Sequence, residues 1–353
     1  MKTKLILSVL FSLLFSVVFG GVLSAASGLP AVPVISVLAF ASFIPMPQGV
    51  LGATVYREVW TKEIIKTVNQ FIKDTFLDGI LDLSRYVTGD GEAQVIHNTY
   101  FGVQPDVLIN NTTYPIDVQA LNGSDVPISL DKYQTKATPI TDDELYALSY
   151  DKMGIVKTVH GEAIAENRLK KAIHALAPSG NTAKTPVIAT TGAETPDGSR
   201  KRLKWEDIIT MREKYAAAGI AVDGMRMVLC PDHVNDLLLE DSKLFKTLTD
   251  WKSGVVPSQL GFELRSYIAN PYFNATTLAK LSFGTLPQAT DKMATVIFTP
   301  KLARKASGLT KMYFSEAKTD PLNQRNLINF RNYFIALPTI NEAIGAIVSA
   351  PGE

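Results

Sequence analysis

The sequence is poor in the residue types that most often carry chemistry. Cysteine occurs once, as Cys230, and histidine four times in 353 residues. One thiol excludes an intrachain disulfide and a thiolate metal cage. Cys230 closes the apolar run Met225–Cys230 just before Pro231, the setting of a buried structural thiol rather than a reactive one. His97, His160, His174 and His233 make no His-Glu-x-x-His pair, and His160 and His174 stand too far apart on one helix to share an ion. His233 follows Pro231-Asp232 at a predicted helix start, where a solvated or capping role is expected. There is no Gly-x-Ser-x-Gly elbow and no Gly-x-Gly-x-x-Gly loop, and Gly180–Thr185 lacks the second glycine and the preceding strand of a phosphate loop. No catalytic, cofactor-binding or metal-ligating residue is therefore assigned, no cofactor is expected, and the chain does not read as an enzyme.

An excess of charge of one sign is missing too. Lys plus Arg number 35 against 34 for Asp plus Glu, a balance that leaves no electrostatic footprint for nucleic-acid readout. The basic clusters Arg200–Arg202 and Lys301, Arg304, Lys305 lack the interleaved aromatics that stack on bases.

The most unusual absence is local. Between Lys4 and Arg57 no side chain is charged. Lys2 and Lys4 precede the apolar run Leu5–Leu23, and Ser24-Ala25-Ala26 follows. Basic, apolar, small is the order of a secretory signal, with cleavage at Ala26. A second uncharged stretch, Leu29–Val55, holds Pro30, Pro33, Pro45 and Pro47, too many for a regular membrane-spanning helix. Three fates fit residues 1–55: membrane contact through Leu5–Leu23, burial between subunits, or removal. So large an apolar patch cannot lie open on a soluble monomer. Removal is the expectation, with a new N-terminus near Ala26 or within Gly49–Thr54.

From Arg57 onward the composition is that of an α+β globular protein. Trp60, Ile64, Ile65, Val68, Phe71, Ile72 and Phe76 recur at spacings of three and four, predicting a helix from about Glu58 to Asp78. Gln94–Tyr100, Asp106–Ile109 and Thr113–Val118 read as strands, and Asn110-Asn111 as a hairpin tip. This makes Val87–Val126 an extended β-arm, a length that is uncommon inside a compact domain. Thr141-Asp-Asp-Glu144 has capping-box form. It opens a helical pattern to about Ala177 whose apolar positions include Leu145, Leu148, Ile155, Val159, Ile164, Leu169, Ile173 and Leu176. Such a helix spans roughly 50 Å, bent at Gly154 or Gly161. Beyond Pro186 the pattern alternates: strands Val187–Thr191, Met225–Cys230, Phe262–Ile268 and Thr295–Thr299, helices Trp205–Ala218 and Pro231–Leu239, then strands Lys311–Glu316, Leu327–Leu337 and Ala343–Val348.

That order, from about Tyr56 to the end, resembles the tailed-bacteriophage major capsid protein family, prophage-type, with its Hong Kong 97-type shell fold. The resemblance is carried by Ile128–Lys136, Thr141–Leu145 and Tyr150-Asp-Lys152 before a spine helix. It is carried further by Met227–Asp241, a strand then a helix of an axial domain, by the Gly-aromatic-Glu run Gly261–Arg265, and by Asp320–Arg325 through Asn341–Ile347. The resemblance implies an N-terminal segment 1–55, an arm helix 56–86, an extended β-arm 87–127 and a peripheral domain 128–185 with the spine. An axial domain 186–282 follows, then a return to the peripheral domain, 283–353. Asn110, Asn111, Tyr114 and Pro115 become the assembly contacts of the arm. The implied partners are further copies of the chain in pentamers and hexamers, portal and scaffold or protease proteins, and packaged double-stranded DNA bound non-specifically. The implied place is the virion capsid, assembled in a bacterial host. No lysine lies between Lys73 and Lys132, so a lysine cross-link through the arm is not expected. The rival reading is a secreted or membrane-anchored bacterial envelope protein.

Overall fold

The computed structural model describes residues 61–62, 64–68, 75–89, 94–101, 112, 114–115, 123–141, 152–240, 261–317 and 322–352. The expectations for Leu5–Leu23, Ala26, Asp106–Ile109, Asn110, Asn111, Leu145 and Leu148 lie outside the described residues.

Along the chain run β1 (Leu81–Asp82), β2 (Val87–Thr88), β3 (Val95–Phe101), β4 (Gly123–Ser129), β5 (Asp131–Gln134) and β6 (Thr138–Thr141), then the helix α1 (Lys152–Leu176). After α1 come β7 (Val187–Ala189), α2 (Trp205–Ala217), β8 (Met225–Leu229), α3 (Pro231–Glu240), β9 (Phe262–Ser266) and β10 (Tyr272–Asn274). The chain closes with β11 (Asp291–Phe298), β12 (Ala303–Ser315), β13 (Arg325–Pro338) and β14 (Ile344–Val348). The strands form three sheets. One is ordered β1-β12-β13-β5 with β6 also on β13, the second β7-β14-β11-β8-β9 with β10 on β11, and the third is β2-β3-β4.

The first sheet is organised by β13, whose residues Ile328, Phe330, Phe334 and Ala336 are buried at the two-residue period of a strand. Against it lies α1, which buries Met153, Lys157, His160, Ile164, Leu169, Ile173 and Leu176 at spacings of three to five. Ile155 and Val159 do not belong to this stripe and are more than half exposed. At 100° per residue, Ile155 sits roughly 200° around the helix from Met153. Gly161 serves close approach within a continuous helix: a Cβ there would stand 3.1 Å from Thr67 Cγ2. The helical residues 64–68 cross α1 at that point, with Ile64 and Val68 buried beside Ile164 and Ala165. The helix expected to reach Asp78 stops earlier, because residues 75–79 form turns that end at Gly79 with φ +70°. Arg226 fixes these turns, donating to the Phe76 carbonyl at 2.7 Å and to Glu263 at 2.8 and 3.0 Å. Thr141, expected to cap α1, ends β6 opposite Arg325, and residues 142–151 lie outside the described residues.

The second sheet is buried on both faces, so β14 reads as an unbroken apolar run and β8 as one interrupted only by Arg226. One face carries Met211 and Tyr215 of α2 and Leu237 of α3 against Met225, Met227 and Ile347. The other joins Val296, Phe298, Ala346 and Val348 to Leu169, Ile173 and Leu176 of α1 and to Phe334 of β13. This shared cluster fastens the two sheets through the C-terminal half of α1. The sheets do not follow the expected division at residue 282. Of residues 283–353, β12 and β13 enter the first sheet, but β11 and β14 sit at the centre of the second, between β7 and β8. The reason is strand pairing: β14 joins β11 antiparallel and β7 parallel, which sequence order alone does not reveal.

Candidate functional site

Within the segment expected to be the arm, two strands form an antiparallel pair. β3 and β4 pair antiparallel from Val95↔Ser129 to Phe101↔Gly123, and the Leu130 amide donates to the Gln94 carbonyl at 2.9 Å, closing its base. Ile96 and Leu130 bury there against Ala306 and Tyr333 of the first sheet. At this base β12 loses register between Ser307 and Thr310, and each bulge residue has a task. Ser307 donates its amide to Ser84 Oγ at 2.8 Å and accepts at its own Oγ from Arg168 Nη2 at 2.9 Å. Leu309 donates its amide to Gln94 Oε1 at 2.8 Å. Gly308 leaves room for that amide, since a Cβ would fall 1.8 Å from Gln94 Oε1. The residue gap in one strand against a continuous partner is the geometry of a β-bulge.

Gln94 is 5% exposed and Arg168 only 2%. The Arg168 guanidinium lies 3.9 Å from the Phe334 ring centroid, and its Nε has no hydrogen-bond partner. Burial brings its pKa down to about 10. Nothing in the sequence singled out Gln94, Ser307, Gly308 or Arg168. The available signal was Gly308 inside an otherwise continuous strand pattern, a mark of a bulge. Of the expected arm contacts, Tyr114 and Pro115 are exposed, Tyr114 at 74%.

Two grooves flank α1. One, of about 670 Å³, is lined by Lys132, Tyr133, Lys136, His160, Lys171 and Phe283 among others. A smaller one, of about 360 Å³, includes His174, Ile268, Tyr272 and Phe283. Exposed apolar side chains stand nearby: Ile155 and Val159 on α1, Val159 lining the first groove, and Ile268 in the second. Apolar side chains grouped at a surface mark protein contacts.

The titratable residues have structural partners. His233 is fully buried, not solvated, with Nδ1 2.7 Å from Thr295 Oγ1 and Nε2 2.9 Å from Ser349 Oγ. A serine beside a histidine is the spacing of a nucleophile and its base, yet Ser349 is 1% exposed and shut away from any substrate. Burial lowers the His233 pKa to about 4. Cys230 is buried, and desolvation pushes its thiol up to about 12, so it is no thiolate nucleophile. His160 meets Thr138 Oγ1 at 2.9 Å, and His174 Nε2 meets the Leu281 carbonyl at 2.8 Å. Asp236 accepts both Arg200 Nη atoms, at 2.6 and 2.9 Å, as well as the Leu203 amide. No group of three His, Cys, Asp or Glu side chains among the described residues is placed to hold a metal. No helix among them is long and apolar enough to cross a membrane.

No protein-family model matches the chain, and no curated protein matches it by sequence. Solved structures do match. The capsid of Ralstonia phage GP4 aligns with a TM-score of 0.54 at 8% identity, over 78% of this chain and 88% of its own. The capsid of the cyanophage P-SCSP1u aligns with a TM-score of 0.52 at 14% identity, over 78% and 88%. The capsid of cyanophage Pam1 aligns with a TM-score of 0.50 at 11% identity, over 77% and 89%. The likeness is one of fold: the chain carries the α+β Hong Kong 97-type shell fold of tailed-phage capsid subunits.

Proposed function

We propose that the chain is a major capsid protein, the repeating subunit of an icosahedral phage shell around double-stranded DNA. The observation that carries this reading is the fold likeness to phage capsids over 78% of the chain. The geometry agrees with it. A hairpin stands on one sheet, a 25-residue helix braces that sheet, and a second sheet with its own two faces of core forms a separate lobe. In this reading β3 and β4 belong to the arm that reaches a neighbouring copy, with Asn110, Asn111, Tyr114 and Pro115 among its contacts. Helix α1 is the spine, the first sheet is the core of the peripheral domain, and the second sheet with α2 and α3 is the axial domain. The function is assembly, which needs large surfaces repeated around closed symmetry axes rather than a catalytic constellation. The place of the protein is then the virion, after assembly in a bacterial host. Its partners are other copies of itself, with portal and scaffold or protease proteins, packaged DNA held non-specifically, and transient membrane contact through Leu5–Leu23 before that segment is removed.

Electron microscopy of the purified protein tests the proposal. Capsomers or closed shells are expected from the full chain. Replacing residues 102–122 by a short Gly/Ser link should leave a cooperative thermal transition and abolish assembly. Dispersed monomers from the full chain across assembly conditions would overturn the reading.

A further inference from the structure

We infer that the bulge Ser307-Gly308-Leu309 of β12 is the joint that aims the arm, with Gln94 as its positioning residue and Arg168 as its link to α1. The inference rests on the shell-subunit reading, because only an arm that must reach a neighbour needs to be aimed. A two-stranded hairpin holds its own register, but its direction relative to the body is set where its base meets another element. Here that meeting is specified atom by atom. The Leu130 amide binds the Gln94 carbonyl, so the two strands of the hairpin leave the body together. The Gln94 side chain then turns inward and binds the Leu309 amide, which the bulge has released from the β12–β13 ladder. The Gln94 side chain is buried, and a buried polar group that loses its partner costs more than the bond itself contributed, so the glutamine is held in place.

The same three residues also reach the other side of the sheet. Ser307 Oγ takes a hydrogen bond from Arg168, which projects from the middle of α1, and the Ser307 amide is tied to Ser84, just ahead of the arm. A bulge bends its strand and re-aims the residues around it. A shift of α1 against β13 therefore acts on Ser307 directly and on Gln94 through Gly308 and Leu309. The buried guanidinium donates to Ser307 and stacks on the Phe334 ring, with Asp82 and Tyr133 as the other groups that act on it. Ser307 is its hydrogen-bonded link to the bulge.

The test measures direction and assembly separately. Spin labels at Tyr114→Cys, on the exposed Tyr114, and at Lys301→Cys, on the exposed Lys301, report the distance from arm to body. Native Cys230 is buried and escapes labelling. A single narrow distance distribution is expected in the otherwise unaltered chain. Gln94→Ala should broaden or displace it while the thermal transition stays cooperative, and Gly308→Ala should do the same by expelling the glutamine. Arg168→Met should shift it in the same direction through Ser307. Gln94→Met, which fills the same space without an acceptor, decides the matter if Gln94→Ala fails to fold. In assembly reactions the folded Gln94 variants should lose closed shells under conditions where the unaltered chain forms them. An unchanged distribution in folded Gln94→Met, or normal shells from it, overturns the inference. If the unaltered chain never forms shells, the shell-subunit reading falls instead, and the distance measurement still decides whether Gln94 aims the arm.

Discussion

The buried His233 gives the second lobe a pH dependence that can be worked out in advance. Its imidazole is enclosed by Thr295 of β11, Ser349 just after β14 and the first turn of α3, with Asp236 and Arg200 as the nearby charges. Desolvation lowers its pKa from 6.5 to about 4, with the Asp236 carboxylate working against that change and Arg200 with it. In the unfolded chain the ring takes a proton near its ordinary pKa, while in the folded protein it stays neutral until much lower pH. Over that window the unfolded state binds more protons, so acid favours unfolding. At about 1.4 kcal/mol for each pH unit between the unfolded and folded pKa, His233 is linked to about 3 kcal/mol of stability. That contribution is complete above pH 6.5, declines as the pH falls through the window, and is gone near pH 4. Urea titrations of the unaltered protein and of His233→Asn at a series of pH values isolate the effect. The variant is less stable at neutral pH, but it lacks the titrating ring, so its stability should fall by about 3 kcal/mol less on acidification. Parallel pH curves for the two proteins would refute the argument, because they would mean that no proton uptake at His233 accompanies unfolding.

Three further outcomes follow from packing and composition. Ile164→Pro, in the buried stripe of α1, should cost about 3 kcal/mol or more, whereas Lys170→Ala, which removes a partly exposed pair with Glu166, should stay within about 0.5 kcal/mol; equal midpoints in denaturant would count against a continuous helix there. Lys280→Met should destabilise by about 1–3 kcal/mol, because Lys280 Nζ donates to the His174 and Ala177 carbonyls at 2.8 and 2.7 Å and closes the C-terminal end of α1; an unchanged thermal midpoint would show those carbonyls satisfied another way. Peptide mass spectrometry of native particles should find a mature N-terminus near Ala26 or within Gly49–Thr54; recovery of Leu5–Leu23 at subunit stoichiometry would show that the segment is retained.

The helices were legible because each signal is local. Trp205–Ala217 ends at Gly219 with φ +73°, as the glycine after the last apolar position indicates. The α1 stripe was legible from Ile164 to Leu176, where every third or fourth residue is buried, and misled at Ile155 and Val159, which are apolar but face outward. Strands β8, β13 and β14 stood out as apolar or alternating runs. Strands β4, β5 and β6 did not, since Gly123–Ser129 contains a proline and Asp131–Gln134 is mostly polar. Their pairing with β3 and β13 makes them strands, and pairing partners are not written in a short segment. Strand β3 was legible in a length without helical period. Its anchor was not, because Gln94 has no distinction in sequence until Leu309 is brought to it across the fold.

The interleaving of the two sheets along the chain has a physical consequence. The core of the second sheet is built from β7, β14, β11 and β8, so strands near residue 187 cannot find their partner until residue 348 has been made. Between them the chain leaves to build β12 and β13 of the first sheet. Neither lobe is therefore a continuous stretch of chain that can fold ahead of the other. Loop closure over such separations slows folding and exposes unpaired strand edges while it lasts. The shared cluster of α1, β13, β11 and β14 compensates once the chain is complete, since it forms only when both sheets are present. Under the proposed function, a subunit whose two sheets share one core in this way has one folded state to offer its neighbours, and variation between copies is left to the elements that stand outside that cluster, β3 and β4 among them.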